Sequence, residues 1–168
     1  HGAGKSYLGF IIYDLFFKSL DKGHVYGVET RDELVRKSSE LQKKFGFQNM
    51  SFLNVSVNDS IQSQQLPEKI DIVTALHACD TATDEVVALG IRNRAMAVAV
   101  APCCQREIKR TLGTRHPLSG IGHFQVFRER MAVLLTDAVR ALALEAAGYG
   151  VKVVEFVPAR HTPKNILL

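Results

Sequence analysis

The chain opens on His1-Gly2-Ala3-Gly4-Lys5-Ser6, and an apolar helical run from Tyr7 to Phe17 follows at once. Two closely spaced glycines at a helix start let backbone N–H groups approach a ligand that side chains would otherwise block. Such a turn fits the phosphates of a P-loop, a dinucleotide, or the adenosyl and amino-acid ends of S-adenosylmethionine. A plain strand-to-helix turn can carry the same residues. Glu29 stands roughly twenty-odd residues further on, where a strand-end carboxylate can accept both hydroxyls of an adenosine ribose. The competing reading makes Glu29 a surface carboxylate that opens the next helix. Nucleotide hydrolysis fits less well, because Ile70–Leu76 does not end in the acid that a P-loop needs.

A second group of reactive side chains comprises His77-Ala78-Cys79-Asp80 and Pro102-Cys103-Cys104-Gln105. The interval between the two runs resembles that in the zinc deaminases, where H-x-E precedes P-C-x-x-C. Here Cys79 replaces the glutamate, and the two later cysteines are adjacent. Neighbouring residues at a helix start point apart, so no metal is expected, with zinc on His77, Cys79 and one of the pair as the alternative. A Pro-Cys at a helix N-terminus predicts a lowered thiol pKa at Cys103. That thiolate could add to C6 of a pyrimidine and activate C5 for methylation.

The elements that must position these groups read as α/β. Strands are expected over His24–Glu29, Met50–Val55, Ile70–Leu76 and Ala95–Ala101. Helices are expected over Arg31–Phe45, ended by Gly46, and over Thr81–Leu89, stopped by Gly90. Residues 111–124, rich in Gly and Pro, read as a loop. A long helix follows over about Phe127–Ala147, ended by Gly148. Val151–Val157 and Asn165–Leu168 then form a hairpin whose last strand is antiparallel. The pattern predicts a doubly wound, mostly parallel sheet with ligands beyond the strand carboxyl ends. That edge collects the glycine turn, Glu29, Ser56–Asp59, the two cysteine runs, and Arg160, His161 and Lys164 from the hairpin turn. A glycine turn of this kind normally follows a central strand, so the chain reads as one domain, 1–168, lacking its first strand and cut from a longer protein.

The 168 residues are 46% apolar, enough for one core. The first apolar run is too short for a bilayer and contains Asp14, so no membrane association is expected. Three clustered cysteines are too few for a disulfide framework and suit a reducing, cytoplasmic setting. Net charge is +4, with Arg106, Lys109, Arg110, Arg115, Arg128 and Arg130 crowded into one stretch. That crowding suits an anionic partner such as RNA, or a solvated helix face.

The runs Gly2-Ala3-Gly4-Lys5-Ser6-Tyr7-Leu8, Leu76–Asp84, Ala101–Gln105, Leu135-Thr136-Asp137-Ala138 and His161–Asn165 resemble a Rossmann-like methyltransferase family over essentially the whole chain. The sequence is also distantly similar to tRNA 2′-O-ribose methyltransferases of the acceptor stem. The resemblance implies S-adenosylmethionine as cofactor, lying over Gly2 and Gly4, with Glu29 on the ribose, the adenine near Ser56–Asn58, and His77 and Ala78 facing the methyl group. Cys79, Cys104, Arg160, His161 and Lys164 would then face the acceptor. Methyltransferases of base amines often hold Asn/Asp-Pro-Pro-aromatic where this chain has His77–Asp80, which argues against that acceptor. For a hydroxyl acceptor, His77 would be the general base, held by Asp80; packing against the cofactor is its other role. Protein or small-molecule acceptors, and a cofactor- or RNA-binding domain without turnover, are the remaining alternatives.

Overall fold

The computed structural model describes residues 1–20, 22–62, 65–76, 78–112 and 119–168, with the backbone alone at 61, 62, 111 and 121. The chain divides into two compact units, His1–Ile70 and Asp71–Leu168.

In the first unit, α1 (Tyr7–Ile12) runs into a π-helical turn, Tyr13–Phe17. Then come β1 (Val25–Glu29), α2 (Asp32–Phe45), β2 (Met50–Asn54) and α3 (Val57–Gln62). The ends of α2 follow their charges: Asp32 and Glu33 sit in its first turn and Lys43 and Lys44 in its last, each sign opposing the helix dipole. Gly46, at φ 68°, closes it, and the Phe47 N–H donates to the Gln42 carbonyl. β1 and β2 pair in parallel from Val25↔Met50 to Glu29↔Asn54. Tyr13, Phe47 and Met50 form the core, with Phe10, Phe17, Val25 and Phe52 packed against it. Gly27 is required there, since a Cβ would stand 2.5 Å from the Phe52 ring.

In the second unit, β3 (Ile72–Leu76) and β4 (Ala97–Ala101) pair in parallel from Ile72↔Ala97 to Leu76↔Ala101. Between them runs α4 (Thr81–Arg92), which continues through the expected stop at Gly90. A glycine there serves packing instead: a Cβ would lie 2.5 Å from Val98 Cγ2 on β4. After β4 come α5 (Arg106–Thr111), α6 (Ser119–Gly122) and α7 (Gln125–Ala146). Part of the expected 111–124 loop is thus helical, while 113–118, with Arg115, lies outside the described residues. The final strands are much shorter than expected, β5 (Val154–Glu155) and β6 (Ile166–Leu167), but they are antiparallel as read. Leu168 and Val100 exchange both backbone hydrogen bonds, at 2.9 and 3.0 Å, which fixes the chain end beside β4.

The architecture is mixed α/β, and the described strands form two parallel pairs and one antiparallel pair. No helix among the described residues is long and apolar enough to cross a membrane.

Candidate functional site

The first unit places the glycine turn against the carboxyl end of β1. Gly2 and Gly4 take φ values of 61° and 55°, in the left-handed region that glycine enters at little cost. Ala3 N–H donates to the Val28 carbonyl at 3.0 Å, which ties the turn to the strand. Gly4 N–H donates to Glu29 Oε2 at 2.8 Å. Glu29 is 7% exposed and also accepts from the Arg31 backbone N–H and Nε, both at 3.1 Å onto Oε1. Burial alone would raise its carboxyl, but the Arg31 side chain and the Gly4 and Arg31 N–H groups hold it below its ordinary 4.5. Glu29 is therefore an anion beside the turn, and no surface carboxylate.

The same edge carries the start of α3. Ser56 Oγ accepts the Asp59 N–H at 3.0 Å, as an N-cap side chain does, and donates to Asp59 Oδ2 at 2.6 Å. Asn58 is exposed in that turn. The parallel register Glu29↔Asn54 brings the glycine turn, Glu29 and Asn58 to one end of the β1–β2 pair.

The second unit assembles the cysteines. Because Leu76 pairs with Ala101, the two strands end level. Cys79 Sγ lies 2.9 Å from Cys103 Sγ and 3.7 Å from Cys104 Sγ. All three sulfurs fall within 4.8 Å of one another. The expectation that adjacent cysteines diverge is thus corrected: α5 begins only at Arg106, so Cys103 and Cys104 lie in a bend ahead of the helix and turn the same way. The expected low pKa at Cys103 is also reversed. Burial, then hydrogen bonding to Cys79 and Cys104, pushes that thiol up to about 12. At Cys104 burial again opposes ionisation, but bonds from Cys103 and Cys79 and the charges of Lys164 and Arg106 carry the thiol below 9.0. The polarised thiol of the pair is Cys104.

Asp80 holds the two runs together. Its N–H donates to the Cys104 carbonyl at 2.9 Å, and its Oδ1 accepts the Glu107 N–H at 3.2 Å. Its φ of 57° is uncommon outside glycine. Ala78 is buried, and its carbonyl accepts from Thr83 Oγ1. His77 lies outside the described residues. Of the hairpin-turn residues, Lys164 reaches the cluster, donating from Nζ to the Cys103 carbonyl. Arg160 and His161 are exposed and bonded to each other at 3.3 Å.

Sequence reasoning missed Arg140. Its side chain is 3% exposed and reaches three acceptors: Asp84 Oδ1 at 2.7 Å, Asp137 Oδ1 at 3.0 Å and the Asp80 carbonyl at 2.9 Å. Gln105 Nε2 adds a longer bond to Asp137 Oδ1 at 3.4 Å. Arg140 thus ties α7 to the strained Asp80 turn. The available signal was an Asp and an Arg one helical turn apart, the only charged residues between 131 and 144. Gln105, Asp137 and Lys164 also line a cavity of about 540 Å³ with apolar walls from Val133, Leu134 and Ile166. Arg106, Lys109, Arg110 and Arg128 line a separate basic hollow of about 490 Å³. The described part of the basic stretch is therefore gathered on one surface, except Arg130, which lines the apolar cavity.

The first unit thus carries a glycine turn closed by a buried strand-end carboxylate, and the second carries reactive side chains at the ends of a parallel pair. A methyltransferase-domain family model matches residues 1–111, which take in the glycine turn, Glu29 and all three cysteines, and the chain belongs to that family. The chain is 28% identical over 167 residues to the glutathione S-transferase C-terminal domain-containing protein of Xenopus laevis, covering 84% of this chain and 26% of that protein. The proteins of the same name from Homo sapiens and Bos taurus are 27% and 24% identical over 165 residues, covering 84% of this chain and 25% of each. The chain thus spans about a quarter of the length of the curated relatives it matches.

Proposed function

We propose that this chain is an S-adenosylmethionine-dependent methyltransferase that acts on RNA. The hydrogen bond from Gly4 N–H to Glu29 carries the cofactor reading. It joins the turn to a strand-end anion of the kind that accepts ribose hydroxyls, with exposed Asn58 on the same edge for the adenine. A Cβ at Gly4 would meet nothing within 4 Å, which leaves room over the turn for the amino-acid end of the cofactor, with Gly2 beside it in the same left-handed backbone. When bound, that cofactor supplies an electrophilic methyl group. The protein's part is to position the acceptor and remove its proton.

His77 takes the proton from a hydroxyl acceptor in this reading, with Asp80 held beside the site by its bonds to Cys104 and Glu107. Cys79, Cys104 and Lys164 face the acceptor in this reading, and Ala78 lies against the cofactor. Arg160 and His161, exposed on the hairpin turn, contribute to acceptor binding. The basic hollow of Arg106, Lys109, Arg110 and Arg128 favours a phosphate backbone over a neutral small molecule. A pyrimidine C5 mechanism through Cys103 is less favoured, because burial and the hydrogen bonds to Cys79 and Cys104 push that thiol up.

The test is transfer of labelled methyl from S-adenosylmethionine into extracts treated with RNase or with protease. Label that vanishes with RNase and survives protease is expected, and the opposite pattern would overturn the RNA acceptor. His77→Ala should abolish turnover while leaving cofactor affinity unchanged. Undiminished turnover in that variant would remove His77 as the base.

A further inference from the structure

We propose that Cys79, Cys103 and Cys104 form a binding site for one thiophilic divalent cation of the Zn2+ type. The proposal is independent of the methyl-transfer reading. Zinc–thiolate bonds of about 2.3 Å in a tetrahedron place sulfurs about 3.8 Å apart. The Cys79–Cys104 edge already measures 3.7 Å, and all three sulfurs lie within 4.8 Å of one another. The Cys79–Cys103 edge, at 2.9 Å, must open by about 1 Å to reach that spacing. Cys79 is exposed, so a side-chain rotation can supply the change.

The backbone brings this triad together. The level ends of β3 and β4 bring the two cysteine runs side by side, and the Asp80 N–H bond to the Cys104 carbonyl locks them. Charge favours the same species. Three thiolates and a divalent cation sum to one negative charge, and Lys164 and Arg106 line one hollow with Cys104. An all-sulfur donor set selects soft or borderline ions over Mg2+ or Ca2+. The described residues supply three ligands, and a tetrahedral site takes a fourth.

The experiment measures metal content and thiol reactivity of the purified, reduced protein after dialysis against Zn2+. One zinc per chain is expected. Replacement by Co2+ should give the intense sulfur-to-metal charge-transfer absorption of a tetrahedral thiolate site. Cys79→Ser and Cys104→Ser should each weaken Co2+ binding at least about tenfold, while Lys109→Ala leaves it unchanged. Should the serine variants unfold, alkylation of the native protein decides the matter: bound Zn2+ should protect all three thiols together. Equal alkylation rates with and without Zn2+, no retained zinc, or isolation with Cys79 and Cys103 joined as a disulfide under the same reducing conditions would overturn the proposal.

Discussion

Glu29 concentrates the electrostatics of the first unit. Its carboxyl is held below 4.5 by Arg31 and Gly4, so the folded state binds its proton less tightly than the unfolded chain. Its stabilising contribution is therefore present above about pH 4.5 and disappears as pH falls through the lowered folded value. A hydrogen bond to a charged group contributes about 1.5–3 kcal/mol. Glu29→Gln should accordingly lower stability by an amount of that order at pH 7, and the difference from wild type should shrink towards pH 3. Denaturant unfolding of both proteins across that range checks the prediction, and a pH-independent difference would contradict it. Glu29 was legible in the sequence because its distance from the glycines is set by one helix and one strand. The bend that brings Cys103 and Cys104 together was not. It depends on α5 starting at Arg106 instead of directly after Pro102, a shift of one helical turn that propensities do not resolve.

Two element-level contacts make separate predictions. The close approach of α4 to β4 rests on Gly90, where a Cβ would stand 2.5 Å from Val98. Gly90→Ala should destabilise by about 1–3 kcal/mol through overpacking, and Val98→Ala in the same chain should recover part of that loss. Thermal unfolding of the single and double variants separates this from a simple propensity effect, since alanine alone would favour the helix. Read from sequence, Gly90 looked like a helix stop, because a stop and a close-packing glycine are the same residue until the partner strand is placed. The second contact is the clasp of Arg140 on Asp84, Asp137 and the Asp80 carbonyl. Removing the guanidinium leaves Asp137 buried without its counter-charge, a change that costs about 3–5 kcal/mol. Arg140→Lys should not restore it, because one ammonium cannot reach three acceptors spread over two helices and a turn. Chemical denaturation of Arg140→Met and Arg140→Lys checks this; full stability in the lysine variant would contradict it.

At the scale of the molecule, the alternation of strands and helices gave the α/β class and the parallel pairing within each unit. The β5–β6 hairpin was also legible, from two apolar runs flanking Pro158 and Pro163, although most of both runs is not strand. The basic surface is spread over α5 and α7, so sequence showed its charge but not its gathering into a hollow. If RNA binds there, affinity should fall with salt, and each cation removed should lower the slope of log K against log salt by about 0.7 for single strands. Arg106→Ala and Arg110→Ala together should therefore flatten that slope by about 1.4, while an unchanged slope would place RNA elsewhere. In the proposed function the glycine turn and Glu29 hold S-adenosylmethionine, and calorimetric titration of the protein with that cofactor measures this binding. One site per chain is predicted, weakened at least about tenfold in a folded Glu29→Ala variant, since about 1.4 kcal/mol of lost ribose bonding suffices for that factor. No binding by the wild type, or equal affinity in the variant, would contradict it.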